Sequence, residues 1–208
     1  MTDVVHVISG LGVGGAETML AQIAPGLAER GMSQAVVSLT GDGPVAARLE
    51  ADGVPVIRLD LRRGTGPIRD LPRLAGIVGG HRPRILQGWM YHGDLAATVA
   101  HHAARGRRER RLVWGIRCSN MDMERNARVI GWEARLSRRP DAIVANSKAG
   151  ARAHLDHGYR PRRMEVIPNG VDTARFRPDT EARARARAAL GLAEETVVAI
   201  HVARVDPM

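Results

Sequence analysis

Aromatic residues make up only 3% of this chain, lysine occurs once, at Lys148, and cysteine once, at Cys118. Each scarcity excludes something. Few rings leave few platforms on which single-stranded nucleic acid can stack, and one thiol cannot form an internal disulfide. No apolar run approaches the length of a membrane span, and the N-terminus lacks the basic segment and long apolar stretch of an export signal. A cytoplasmic protein is expected. All but one of the 31 basic residues are arginine, and with abundant Ala and Gly this matches a coding bias toward GC-rich codons, so the net charge of +9 is discounted as a nucleic-acid signature. Locally the arginines still cluster: Arg105, Arg107, Arg108, Arg110 and Arg111 read either as a solvated turn or as a patch attracted to anionic lipid or an acidic partner.

The chain is organised around Val4 to Glu17, VVHVISGLGVGGAE. Val4, Val5, Val7 and Ile8 suit a buried parallel strand, and the glycines that follow let the backbone turn sharply into a helix. Met19, Leu20, Ile23 and Leu27 recur at the helical period, with Arg30-Gly31 as the stop. A glycine turn entering a helix N-terminus is an anion site in principle, because unpaired N–H groups and the positive dipole end converge there. Gly10, Gly12 and Gly15 also satisfy the dinucleotide fingerprint G-x-G-x-x-G. That fingerprint needs an acid at the end of the second strand, and here the nearest, Asp42, is displaced into a Gly-Asp-Gly turn. Glu17 in the first helical turn would repel a pyrophosphate if it faced the site. A dinucleotide is therefore disfavoured, and a tight turn holding no ligand stays open.

Further along, strands are expected over 34–39, 54–59, 84–87, 111–116, 141–145 and 164–167. Helices are expected over 44–51, 68–78, ending at Gly79-Gly80, then 92–104, 124–136 and 148–157. This alternation predicts an α/β fold: a doubly wound, mostly parallel sheet with helices on both faces. In such sheets ligands bind beyond the carboxyl ends of the strands, so the loops after each strand should form one polar rim suited to a polyhydroxylated or phosphorylated ligand. His92 is the candidate catalytic residue: it follows Trp89-Met90-Tyr91 at a strand end and opens a helix, where an imidazole can orient a hydroxyl or a transferring group. The alternative is a structural hydrogen bond, and Asp94 is a candidate cap for that helix. No metal site is expected. His101, His102, His154 and His157 read as surface histidines, and Cys118 as an ordinary loop thiol.

Three segments in order resemble glycosyltransferase family 4, the retaining group with the two-domain GT-B fold. GLGVGGAE resembles its G-x-G-G-x-E turn, Ala145-Asn-Ser-Lys148 its last strand before a serine-initiated helix, and Val166-Ile-Pro-Asn-Gly-Val-Asp172 with Phe176-Arg-Pro178 its N-G-V-D…F-x-P segment. Ala203-Arg204-Val205-Asp206 resembles the turn whose arginine reaches the donor diphosphate. The resemblance implies an N-terminal acceptor-binding domain over 1–172 and a linker with a connecting helix over 173–194. Residues 195–208 would hold the first strand of a donor-binding domain, an apolar run at 196–202.

The family's later basic residue and E-x7-E acid pair have no counterpart, so the chain reads as truncated and inactive alone. Its partners would be a nucleotide-sugar and an acceptor glycan or glycolipid, with peripheral contact at an anionic membrane, no nucleic acid and no required metal or cofactor. Gly14, Gly15 and Arg204 would bind donor phosphates, His92 the transferred hexose, and Glu17, Arg117 and Asn120 the acceptor. A non-catalytic sugar- or phosphate-binding module of the same fold is the alternative.

Overall fold

The computed structural model describes residues 2–61, 71–119 and 123–202, with positions 107 and 123–125 through their backbone alone. The elements alternate as expected: β1 (Val4–Ile8), α1 (Gly15–Glu29), β2 (Gln34–Ser38), α2 (Pro44–Ala51), β3 (Val56–Arg58), α3 (Leu71–His81), β4 (Ile85–Trp89) and α4 (Met90–Ala103). They continue with β5 (Arg111–Ile116), α5 (Met123–Leu136), β6 (Ala142–Ala145), α6 (Lys148–Asp156), β7 (Met164–Val166) and α7 (Thr180–Ala189). The seven strands form one parallel sheet in the order β3-β2-β1-β4-β5-β6-β7. β1 lies inside it, pairing Val4 with Gln34 on one side and with Ile85 on the other. The chain steps outward from β1 through β2 to β3, then returns to place β4 on β1's other side. The topology therefore reverses between β1 and β4, which opens a crevice at their carboxyl ends.

Side chains alternate across the sheet into two cores. Val5, Val7, Leu86, Leu112 and Trp114 pack with Leu74 of α3, Ala97 and Ala100 of α4, Ile130 of α5 and Ala151 of α6. Ile8, Val36 and Trp89 face the other way, onto Leu20 and Ala24 of α1 and Leu49 of α2. Four helices thus lie on one face and two on the other, as right-handed crossovers require when the chain winds both ways from β1.

Several boundaries move. α3 runs through Gly79 and Gly80 to His81 and stops at Arg82, whose φ of 45° leaves the helical region. The expected start of that helix, 68–70, lies outside the described residues. β4 continues two residues past Gln87, because Trp89 is drawn fully into the α1-side core. His92 accordingly sits third in α4 instead of opening it.

The chain divides into two compact units, Met1–Asn169 and Gly170–Met208. In the second, Asp172 Oδ1 accepts the N–H groups of Ala174 and Arg175, each at 3.0 Å. Asp179 caps α7 by accepting the Ala182 N–H at 2.8 Å, and no residue of that helix is buried. The apolar run 196–202 is not a strand among the described residues: Val197 is 94% and Val202 89% exposed. A strand forms by pairing, and nothing described here pairs with it.

Candidate functional site

The glycine turn after β1 is held from outside by the segment following β2. Leu39 and Thr40 donate their N–H groups to Ile8 and Ser9 carbonyls, Thr40 Oγ1 adds a 2.6 Å bond to the Ser9 carbonyl, and Val45 N–H reaches the Leu11 carbonyl. Gly43 comes so close that a Cβ there would strike the Leu11 carbonyl, so the two loops share one backbone surface. Gly14 is the N-cap of α1 and brings no side chain of its own. Glu17 folds back instead, and a Cβ on Gly14 would collide with its carboxylate. The Glu17 carboxylate therefore sits over the N-cap glycine, at the positive end of the helix dipole.

Asp42, the late acid of the dinucleotide fingerprint, is engaged elsewhere. Arg58 meets it at 3.1 Å and forks onto both oxygens of Glu50 at 2.7 and 3.0 Å. The Gly43 N–H and then Arg58 hold the Asp42 carboxyl below its ordinary range.

The opposite wall of the crevice is the β4–α4 junction. Trp89 is buried, donates its indole N–H to His6 Nδ1 at 3.1 Å and carries the Arg117 guanidinium 4.5 Å above its ring. Met90 turns the chain with φ of 60°, a conformation costly for a non-glycine residue and sustained here by its neighbours. Tyr91 points inward, its hydroxyl 3.1 Å from Cys118 Sγ and 3.4 Å from His154 Nε2. His92 is thus an exposed imidazole next to a residue anchored in the core. Gly93 allows this helix to press on β1, since a Cβ there would lie 2.5 Å from the Val7 carbonyl oxygen.

Asp94 does not cap α4. It lies fully buried inside the helix and accepts the Gly115 N–H at 3.1 Å, beyond the last β4–β5 partners Gln87 and Val113. Its carboxylate stands in for the next rung of the ladder. Its other oxygen has no hydrogen-bond partner among the described residues; burial and then the nearby Glu133 charge push the carboxyl well above its ordinary range. Glu133 is buried too, accepts the Tyr159 hydroxyl at 2.6 Å and is pushed up to about 8 by desolvation.

Two of the expected surface histidines are interior. His154 is fully buried and its Nδ1 lies 2.8 Å from the Gly150 carbonyl; His101 is 7% exposed. Arg110, placed by sequence in a solvated cluster, is buried as well and donates to the His101 carbonyl at the end of α4. A cation there complements the last carbonyls of the helix.

Of the expected site residues, Gly14, Gly15, Glu17, His92 and Arg117 all follow carboxyl ends of β1, β4 or β5, on one rim. Arg117 is half-buried and also donates to Asn169 Oδ1 at 2.8 Å, tying the end of β5 to the last residue of the first unit. Asn120 and Arg204 lie outside the described residues, as do loop residues 62–67. Ser147 initiates α6 as expected, accepting the Gly150 N–H at 2.9 Å. The contacts of His6, Trp89 and Asp94 were not legible in the sequence, for they run between strands; the signal available was a Trp and a Gly at the end of β4.

The family model described as Glycosyltransferase Family 4 matches residues 13–175. A D-inositol 3-phosphate glycosyltransferase of Geodermatophilus obscurus is 45% identical over 86 residues, 41% of this chain and 18% of that protein. Its namesake from Segniliparus rotundus is 30% identical over 123 residues, 58% of this chain and 26% of that one. Among solved structures, Anabaena HepE in complex with UDP has a TM-score of 0.76 at 20% identity, covering 91% of this chain and 50% of HepE. A glycosyltransferase from Rickettsia africae has a TM-score of 0.71 at 12% identity, covering 93% of this chain and 51% of that one. These likenesses show a shared fold, and the chain spans about half of each solved relative.

Proposed function

Since this chain belongs to glycosyltransferase family 4, we propose that it is the acceptor-binding half of a retaining enzyme that moves a hexose from a nucleotide-sugar to an acceptor hydroxyl. The observation that carries this reading is the crevice between β1 and β4. A glycine turn entering α1 stands there beside an exposed imidazole whose flanks are buried and bonded. HepE, of the same fold, was solved with UDP-glucose, which supports a nucleotide-sugar as donor.

In this reading the anomeric C–O bond to the diphosphate breaks, and a bond to the acceptor oxygen forms on the same face. The Gly14 and Gly15 N–H groups and Arg204 face the donor phosphates, and Arg204 neutralises charge as the diphosphate leaves. Glu17 must yield the helix N-terminus to any phosphate that binds there, and its carboxylate is then available to accept acceptor hydroxyls. His92 binds the transferred hexose, and Arg117 and Asn120 line the acceptor pocket. No metal is needed. A glycan or glycolipid acceptor and a cytoplasmic setting complete the proposal, with 1–172 as acceptor domain, 173–194 as linker and 195–208 as the beginning of the donor domain.

The test is transfer from a nucleotide-sugar by the intact enzyme and its His92→Ala variant. Turnover is expected to fall roughly 100-fold or more with the removal of a group that stabilises the transition state. Because His92 is exposed, the thermal midpoint should not move. Unchanged turnover would remove His92 from the reaction.

A further inference from the structure

The outer face of α5 takes no part in the crevice. Its exposed described residues are Ala127, Arg128, Trp132 and Arg135, and Arg138 and Arg139 extend the charge past the helix end. Trp132 is 64% exposed. Arg128, Trp132 and Arg135 are spaced by four and then three residues, so they share one stripe. Arg135 leans back along it, its Nη1 3.8 Å from where a Cβ on Gly131 would stand. Among the described residues the stripe holds no carboxylate. Glu133 points inward to Tyr159, and Asp141, past the helix end, is taken by Arg111 at 3.1 Å and by the Leu112 N–H. That Arg111–Asp141 pair also joins the start of β5 to the start of β6, bringing exposed Arg105 and Arg108 to the same end of the sheet as Arg138 and Arg139.

We propose that this face, from Arg128 through Trp132 and Arg135 to the arginine edge, docks on an anionic lipid bilayer. The chemistry selects that occupant. A protein interface needs an apolar core of several packed side chains, whereas here one indole is ringed by solvated cations on a convex helix. A single ring is also a poor platform for nucleic acid, which is held by successive stacked bases. An amphipathic indole seats itself at headgroup level, and guanidinium groups on long stems reach phosphates around it. α5 starts beyond the carboxyl end of β5 and runs back toward the opposite edge. Docking along its length therefore lays the rim beside the bilayer. The inference goes beyond the proposed transfer reaction and does not depend on it.

The molecule carries its own reporter, because Trp89 and Trp114 are fully buried and Trp132 alone among the tryptophans is exposed. The experiment mixes the protein with vesicles of phosphatidylcholine alone or with phosphatidylglycerol, and follows co-sedimentation, tryptophan emission and acrylamide quenching. Expected are binding only to the anionic vesicles, a blue shift, and loss of quenching. The double substitution Arg135→Glu, Arg139→Glu should weaken binding roughly ten-fold or more. Trp132→Ala should abolish the emission change and weaken binding; all these positions are exposed, and circular dichroism checks that the variants are folded. The proposal is overturned if anionic vesicles are not bound, if bound protein remains quenched, or if the double variant binds equally well. Trp132 protected from acrylamide before vesicles are added would also overturn it, by showing that protein covers this face.

Discussion

The indole N–H of Trp89 donates to Nδ1 of His6 across 3.1 Å, linking the end of β4 to the middle of β1 where the strand order reverses. An indole can only donate, so His6 Nδ1 accepts and the ring is neutral. Burial is the main cause that depresses His6 from 6.5 to about 4, and Gln34 offsets only part of it. The wall that carries His92 thus rests on an imidazole that must stay uncharged.

That requirement gives stability a definite pH dependence. Between pH 6.5 and about 4 the unfolded chain binds the His6 proton and the folded one does not. The contribution of His6 to stability therefore falls as pH falls through this window, by on the order of 3 kcal/mol. Urea unfolding of the protein and of His6→Asn at several pH values measures it: relative to the variant, the parent should lose stability as pH falls between those limits.

Glu133 works in the opposite direction. Its carboxyl is raised from 4.5 to about 8, so the folded state keeps a proton that the unfolded state releases. Its contribution is intact below pH 4.5 and is lost as pH rises to about 8. Glu133→Gln keeps an acceptor for the Tyr159 hydroxyl without the titration. The variant should be more stable than the parent at pH 8 and should retain the acid-side slope of His6.

Asp94 serves β5 through one oxygen. Asp94→Ala leaves the buried Gly115 N–H without its acceptor and should cost about 1–3 kcal/mol. Asp94→Asn keeps the acceptor and matches the shape of the protonated acid, so its loss should be much smaller. Equal losses in the two variants, measured by denaturant unfolding, would remove the Gly115 bond from the account.

Gly93 sets the approach of α4 to β1. Gly93→Ala puts a methyl group 2.5 Å from a backbone carbonyl oxygen that cannot move aside, and should cost roughly 1–3 kcal/mol. It should also lower turnover, because His92 is the preceding residue. Gly76→Ala in α3, with nothing within 4 Å of the added atom, should instead stabilise by about 0.5–1 kcal/mol. Thermal unfolding compares the two directly.

The elements were legible where one period dominated: the β-branched run of β1, the helical spacing of Met19 and Leu20, Ser147 as a helix start. Boundaries failed where tertiary packing overrode a local signal. Gly79-Gly80 looked like a helix stop, yet α3 continues, and β4 is lengthened by the burial of Trp89. The apolar run 196–202 shows the reverse, a strand-like composition without a partner to pair with.

The sequence by itself determined the alternation of strands and helices, the glycine turn entering α1 and the resemblance to a family, because periodicity, glycine placement and short motifs are local properties of a chain. Only the tertiary structure decided which histidines are buried and that Asp42 is held by Arg58. It also decided that Glu17 covers Gly14, that Asp94 bonds β5 and that Trp132 stands among arginines. Each of these depends on groups brought together from different elements, and burial, which sets their charge and hydrogen bonding, exists only once the chain is packed.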